Sequence, residues 1–229
     1  MNRYHVWIPR KTPALTYAAR ELARAGISFA PSQEEANVIL LPVPTPKEAA
    51  SGGLPGQLTV GGNLETGLDL LKDPRFLAEN AAVTAEAALQ ILMEALPCRI
   101  RGCKILLLGW GRIGACLGKL LDALGADLAV YDRKEEKCAL INAMGISASD
   151  AVPDPKKFRV IVNTIPAAVL PENAGFRPDA VKIDLASGIF LPGEGVISAR
   201  GLPGKRKPEA AGRLIAERLL DFLKGGGFL

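Results

Sequence analysis

The sequence predicts an α/β chain of two lobes, a smaller N-terminal one and a C-terminal one whose strands run parallel. Three observations predict it. From Cys103 onward, short apolar runs alternate with amphipathic segments, the order expected of a parallel sheet crossed by helices. A shorter alternation of the same kind occupies residues 4–41. Between the two, nine Pro and Gly residues fall within positions 42–62, too many for one regular element.

Each element has a local cause. Tyr4–Ile8 reads as a first strand, punctuated by Pro9. Thr12 caps a helix that starts at Pro13, where a missing N–H costs nothing, and Gly26 stops it. Ile27–Ala30 and Val38–Leu41 read as strands, and Gln57–Val60 as a short one inside the Pro/Gly-rich stretch. Leu64–Ala78 looks helical but is split by Pro74. A better helix starts near Thr84, with Ala85, Ala88, Leu89, Leu92 and Leu96 on one face and Pro97 at its end. Strands then follow at Lys104–Leu108, Asp127–Tyr131, Val160–Thr164 and Val181–Leu185. Helices fill Arg112–Leu124, Lys134–Met144 and Pro208–Lys224, and the Gly225–Gly227 tail frays. The expected division is a small lobe at 1–83, a connecting helix at 84–99, the parallel-sheet domain at 100–212, and a C-terminal helix and tail at 213–229.

Composition narrows the function classes. With 48% hydrophobic and 23% charged residues in 229, the chain has the apolar surface of a globular protein and is not a disordered one. Aromatics at 5% and a dispersed net charge of +4 argue against a nucleic-acid partner. No apolar run is long enough to span a membrane, and the N-terminus has no signal-peptide core. Cys98, Cys103, Cys116 and Cys138 form no CxxC pair, and a single His leaves few metal ligands. Reduced thiols, a cytoplasmic location and no metal are the expectation.

The chemistry starts at Gly109-Trp110-Gly111-Arg112-Ile113-Gly114. This GxGxxG follows an apolar strand and opens a helix, the context in which it binds a dinucleotide pyrophosphate. Gly109 makes the tight turn, Gly111 admits the phosphate, and Gly114 lets helix and strand approach. The helix N-terminus offers free N–H groups and partial positive charge, and Arg112 adds a cation. Asp132, 18 residues past Gly114 at the end of the next strand, suits the ribose hydroxyls of NAD. Arg133 and Lys134 beside it suit a 2′-phosphate, so NAD and NADP both stay open. The domain is therefore Rossmann-type. Glycines used only for packing, or a methyltransferase loop, are the competing readings.

Ligands in open α/β sheets bind beyond the carboxyl ends of the strands. Two such ends carry polar or small residues, Asn163-Thr164-Ile165-Pro166 and Asp184-Leu185-Ala186-Ser187. Thr164, Ile165, Pro166, Ala186 and Ser187 are the expected cofactor contacts. Gly201–Pro208 sets Lys205 and Arg206 before the last helix.

The run NAAVTAEAALQILM (80–93), the loop GWGRIG, then NTIP (163–166), DLAS (184–187) and GLPG (201–204) with a following P-x-x-AG at Pro208–Gly212 resemble the A subunit of dipicolinate synthase. The likeness covers roughly residues 64–224, and the ordered series is far more specific than GxGxxG alone. It implies a sporulation enzyme that uses NAD or NADP to convert a hydroxy-tetrahydrodipicolinate to dipicolinate with a flavoprotein-like B subunit. A homodimer is implied by analogy with two-lobed dehydrogenases. Under that reading Thr84, Lys205 and Arg206 are candidates for the substrate carboxylates, and Glu86 or Asp184 for the proton acceptor. Two features depart from the resemblance: a shorter N-terminal lobe, and the charged Asp132-Arg133 after the second strand of the domain.

Two other readings compete. A D-2-hydroxyacid dehydrogenase needs a late acid/base His, whereas the one histidine is His5, in the first strand. A dinucleotide-binding subunit without turnover of its own needs neither that His nor a full first lobe.

Overall fold

The computed structural model describes residues 4–49 and 53–225. The chain forms two compact units, one of residues 1–83 with 203–229, the other of residues 84–202.

The first unit is a five-stranded parallel sheet. Its strands are β1 (His5–Trp7), β2 (Ser28–Phe29), β3 (Val38–Leu40), β4 (Leu58–Gly61) and β5 (Leu68–Asp69), in the order β2-β1-β3-β4-β5. Helix α1 (Pro13–Arg24) crosses between β1 and β2, with the Thr12 hydroxyl accepting from the Leu15 N–H as expected of its cap. Leu15, Ala18 and Leu22 of α1 pack with Val6, Val38 and Val60 of the sheet.

Helix α2 (Pro74–Ala95) differs from its sequence reading. It starts ten residues before Thr84, as one helix and not as a connecting helix at 84–99. Pro74 stands at its first position, where proline is favoured, and does not split a helix. Asp73 caps it: its Oδ1 accepts from the Arg75 N–H at 2.8 Å and the Phe76 N–H at 3.1 Å. The preceding segment is β5 and a single 3₁₀ turn rather than helix. The boundary between the units falls inside α2, at Val83/Thr84.

The second unit is a six-stranded parallel sheet. It contains β6 (Lys104–Leu108), α3 (Arg112–Ala123), β7 (Asp127–Tyr131), α4 (Glu135–Ala143), β8 (Ser147–Ser149), β9 (Val160–Asn163), β10 (Val181–Asp184) and β11 (Val196–Ser198). The order β11-β10-β9-β6-β7-β8 is that of the doubly wound dinucleotide fold, with β6 first in sequence and central in space. Side chains alternate along each strand. Ile105, Leu107, Val160 and Val162 face a core shared with Leu92 of α2, Leu117 and Leu121 of α3 and Ile141 of α4. Leu106, Leu108 and Ile161 face the other way, toward Phe158, Leu170 and Leu191. That second face is covered by the loops at 164–180 and 185–195, not by helices.

Two further helices close the chain, α5 (Leu202–Arg206) and α6 (Pro208–Lys224). Residues 203–212, expected with the parallel-sheet domain, group with the first unit. The reason is that α6 is continuous from Pro208, and its Leu214, Ile215, Ala216, Leu219 and Leu223 complete the core of that unit. Gly226 and Gly227 lie outside the described residues.

Candidate functional site

Strand β6 runs into the glycine-rich turn. Gly109 has φ +98°, a left-handed value that suits glycine, and its N–H donates to Tyr131 O at 2.7 Å. A Cβ on Gly109 would sit 2.6 Å from Thr164 Oγ1. A Cβ on Gly114 would collide with the Gly109 carbonyl, so glycine here sets how closely α3 approaches the turn. Gly111 is different: an added Cβ would meet nothing within 4 Å. It is the N-cap of α3, carries no side-chain cap, and faces open space. The first N–H groups of α3 are thus left for an anion to satisfy. The residues present fit a dinucleotide pyrophosphate.

Asp132, 7% exposed, is tied to this turn. Its Oδ2 accepts from the Trp110 N–H at 3.0 Å and its Oδ1 from the Lys134 N–H at 3.1 Å. Burial pushes its carboxyl up, but the Trp110 and Lys134 N–H groups and the Lys137 ammonium outweigh it and hold it below the usual carboxylate range. Lys137 Nζ lies 3.4 Å from Asp132 Oδ2 and 3.3 Å from the Trp110 carbonyl, so it bridges α4 to the turn. The sequence reading missed this lysine. Its signal was the helical spacing from Lys134, which places it over the end of β7. Trp110 lies against Gly118 of α3, where any side chain would strike the indole. Arg112, Arg133 and Lys134 are exposed, and Ile113 is half-buried.

The ends of β9 and β10 form a second polar assembly. The Thr164 N–H and hydroxyl both donate to Leu108 O, at 2.9 and 3.0 Å, and the hydroxyl also reaches Gly109 O at 3.3 Å. Asn163, 1% exposed, accepts from the Ile165 N–H and donates through Nδ2 to Ile165 O and Asp184 Oδ1. Asp184 is 0% exposed and accepts four hydrogen bonds, from Asn163 Nδ2 and from the Ala186, Phe190 and Leu191 N–H groups. That carboxylate fixes the loop after β10, and its hydrogen-bonding capacity is filled. Pro166 and Ser187 are exposed, Ile165 half-buried, and Ala186 buried.

Four groups of residues named from the sequence therefore gather at the carboxyl edge of one sheet: the glycine turn, Asp132-Arg133, Thr164–Pro166 and Ala186-Ser187. Three expectations are revised. Thr84 is buried inside α2, nearly three turns past its start, so no free helix N–H groups lie there. Glu86 is an exposed mid-helix residue, not one of a first turn. Lys205 and Arg206 are exposed in the short helix α5, not in a loop, and belong to the first unit.

Known proteins resemble this chain in both sequence and fold. Over 160 residues, 63% of this chain, it is 28% identical to the A subunit of dipicolinate synthase of Bacillus subtilis (strain 168). The chain resembles the dipicolinate synthase A subunit. The aligned stretch spans 53% of that B. subtilis protein, about half its length. The crystal structure of the dipicolinate synthase A subunit from Bacillus halodurans superposes with a TM-score of 0.83 at 23% identity, covering 97% of this chain and 98% of that one. The apo-structure of D-lactate dehydrogenase from Escherichia coli follows the same fold at a TM-score of 0.64 and 13% identity, covering 96% of each chain. No protein-family model matches the chain. The fold is thus that of the dipicolinate synthase A subunit and of dehydrogenases. Among the described residues no helix is long and apolar enough to cross a membrane.

Proposed function

We propose that the chain is an NAD(P)-dependent oxidoreductase that converts a hydroxy-tetrahydrodipicolinate to dipicolinate, as the resemblance to the dipicolinate synthase A subunit implies. The observation that carries the reading is the uncapped N-terminus of α3 at Gly111, facing open space beside Asp132. The N–H groups of α3 and the Arg112 guanidinium hold the pyrophosphate. Asp132 meets the adenosine ribose hydroxyls, with Arg133 beside it. Thr164, Ile165, Pro166, Ala186 and Ser187 border the nicotinamide end.

The nicotinamide group, when bound, supplies the hydride acceptor. The substrate loses one water to give a dihydropyridine dicarboxylate. Loss of a hydride and a proton then completes the aromatic ring, so atoms and electrons balance. What the chain itself contributes is orientation of the C–H bond and a rigid, hydrogen-bonded rim. In the family such a protein acts with a B subunit, and a sporulation role and a homodimer belong to the same proposal.

A second reading is favoured by one observation. Asp184 is filled by its four hydrogen bonds and Glu86 is exposed, so neither stands as a held proton acceptor. A dinucleotide-binding subunit without turnover of its own would need none.

Calorimetric titration with NAD⁺, NADH, NADP⁺ and NADPH tests the shared core of both readings. Binding of at least one pair is expected, weakened or altered in preference by Asp132→Ala. No heat with any of the four up to millimolar concentration overturns both. Dipicolinate formation with and without a B subunit then separates the enzyme from the binding subunit.

A further inference from the structure

The opposite end of the second unit carries a cluster of charge that the proposed reaction does not use. The turn before β6, the first residue of β6, the segment leading into β9 and the segment before β10 together line a cavity of about 370 Å³. Its walls bear six cations: Arg99, Arg101, Lys104, Lys157, Arg159 and Arg177. These six exceed the net charge of the whole chain, +4. Asp179 is the one acid paired with any of them among the described residues, at 2.8 Å from Arg159 and 2.9 Å from Arg177. Among the described residues, Arg99, Arg101, Lys104 and Lys157 form no ion pair.

Arg159 is the half-buried member of the six, and its Nη1 pairs with Asp179. Gathering like charges around a concavity costs Coulomb energy, modest where the side chains are exposed. An anion seated among the cations removes that cost. Guanidinium groups pair with carboxylate or phosphate oxygens through two hydrogen bonds at once.

We propose that this cavity is a binding site for a small, multiply charged oxyanion, a phosphate or polycarboxylate. It is separate from the dinucleotide loop. Lys104 starts β6 and Gly109 follows its end, so at about 3.3 Å per residue the two lie about 16 Å apart. The lining holds no aromatic side chain on which a nucleobase would stack.

Cys98 is a reporter already in place, exposed and on the cavity wall. The test is the alkylation rate of Cys98 by neutral iodoacetamide in the full chain, read by peptide mass mapping. Pyrophosphate and citrate are the probes, against sodium chloride at matched ionic strength. Saturable protection is expected, roughly fivefold when the anion stands at four times its Kd. Protection by pyrophosphate alone or by citrate alone assigns the site to phosphates or to carboxylates. The Arg101→Gln/Lys157→Gln variant should fold normally, because both residues are exposed and make no ion pair, and it should lose the protection. Equal rates in anion and chloride, or protection that survives in the variant, overturn the proposal. Anion bound at the glycine turn would leave Cys98 unprotected.

Discussion

At the scale of single residues, the glycine turn and Asp132 form one hydrogen-bonded unit. The glycines make opposite demands: Gly114 brings helix and turn together, whereas Gly111 leaves space open. Gly114→Ala forces its methyl against the Gly109 carbonyl, an overpacking that costs about 1–3 kcal/mol. A lower Tm and much weaker dinucleotide binding are expected together, read by calorimetry on the same sample. Asp132→Asn removes the negative charge from a site ringed by the Trp110 and Lys134 N–H groups and the Lys137 ammonium. The loss expected near neutral pH is about 1–3 kcal/mol. Because the folded carboxyl titrates below its ordinary value, its contribution is complete above the unfolded pKa of about 3.9 and fades as pH falls through the folded one. Urea denaturation of wild type and Asp132→Asn should thus give a constant difference from pH 7 down to about 5, shrinking below about 4. A difference that is unchanged in acid would show that the charge of Asp132 adds nothing to stability.

At the scale of elements, Asp73 joins the start of α2 to α6 within the first unit. It caps α2 and accepts from Arg218 of α6, with both side chains largely out of solvent. Burial raises the Asp73 carboxyl, and the Phe76 N–H and Arg218 more than offset it. The two partners are not equivalent. Without Arg218, Asp73 keeps its two cap hydrogen bonds; without Asp73, the cap is lost and Arg218 retains Asp221. Asp73→Ala should therefore cost more than Arg218→Ala, by about 1 kcal/mol, in a double-mutant cycle followed by denaturation. Equal losses would mean that the ion pair, not the cap, carries the effect. The sequence read Pro74 as a break because an interior proline breaks a helix. The same proline is favoured at a first position, and the deciding residue was Asp73, one place before it. Strands β5, β8 and β11 escaped for a related reason. They are two or three residues long, and β8 is Ser-Ala-Ser, with no apolar run to mark it. Pairing with β7 makes β8 a strand, through Ala129↔Ser147 and Tyr131↔Ser149.

At the scale of the whole molecule, the last helix completes the first unit. Leu214, Ile215, Leu219 and Leu223 of α6 pack with Val6, Leu15, Leu22 and Val38 from the first forty residues. Gly212 allows the contact, since a Cβ there would strike Ala14 and Tyr17 of α1. Four buried aliphatic side chains at about 1.5–3 kcal/mol each give on the order of 10 kcal/mol, comparable with the net stability of a domain. A chain ending at Arg206 should lose the first unit as a folded body while the second, residues 84–202, keeps its core. Hydrogen exchange should show residues 4–61 unprotected and β6, β7 and β9 still protected. Protection of β1 and β3 in that truncated chain would contradict the assignment of α6 to their core.

The sequence by itself determined the second unit's glycine-rich turn and the strands that flank it. β6 and β7 occupy the residues read for them, β6 because a buried apolar run followed by a turn that glycine favours is a local signal, β7 because its apolar residues lie between Gly125 and the polar Asp132-Arg133. It also determined the resemblance, carried by one run inside α2 and by short motifs that close a strand or open a helix. Only the tertiary structure decided where α2 begins, which unit owns α6, and that Asp184 is filled while Gly111 stays open. These depend on partners far away in the chain: Asp73 meets Arg218 across 145 residues, and Thr164 meets Leu108 across 56. Propensity and periodicity act over a few turns, whereas core membership and hydrogen-bond saturation are settled when distant segments compete for the same buried space.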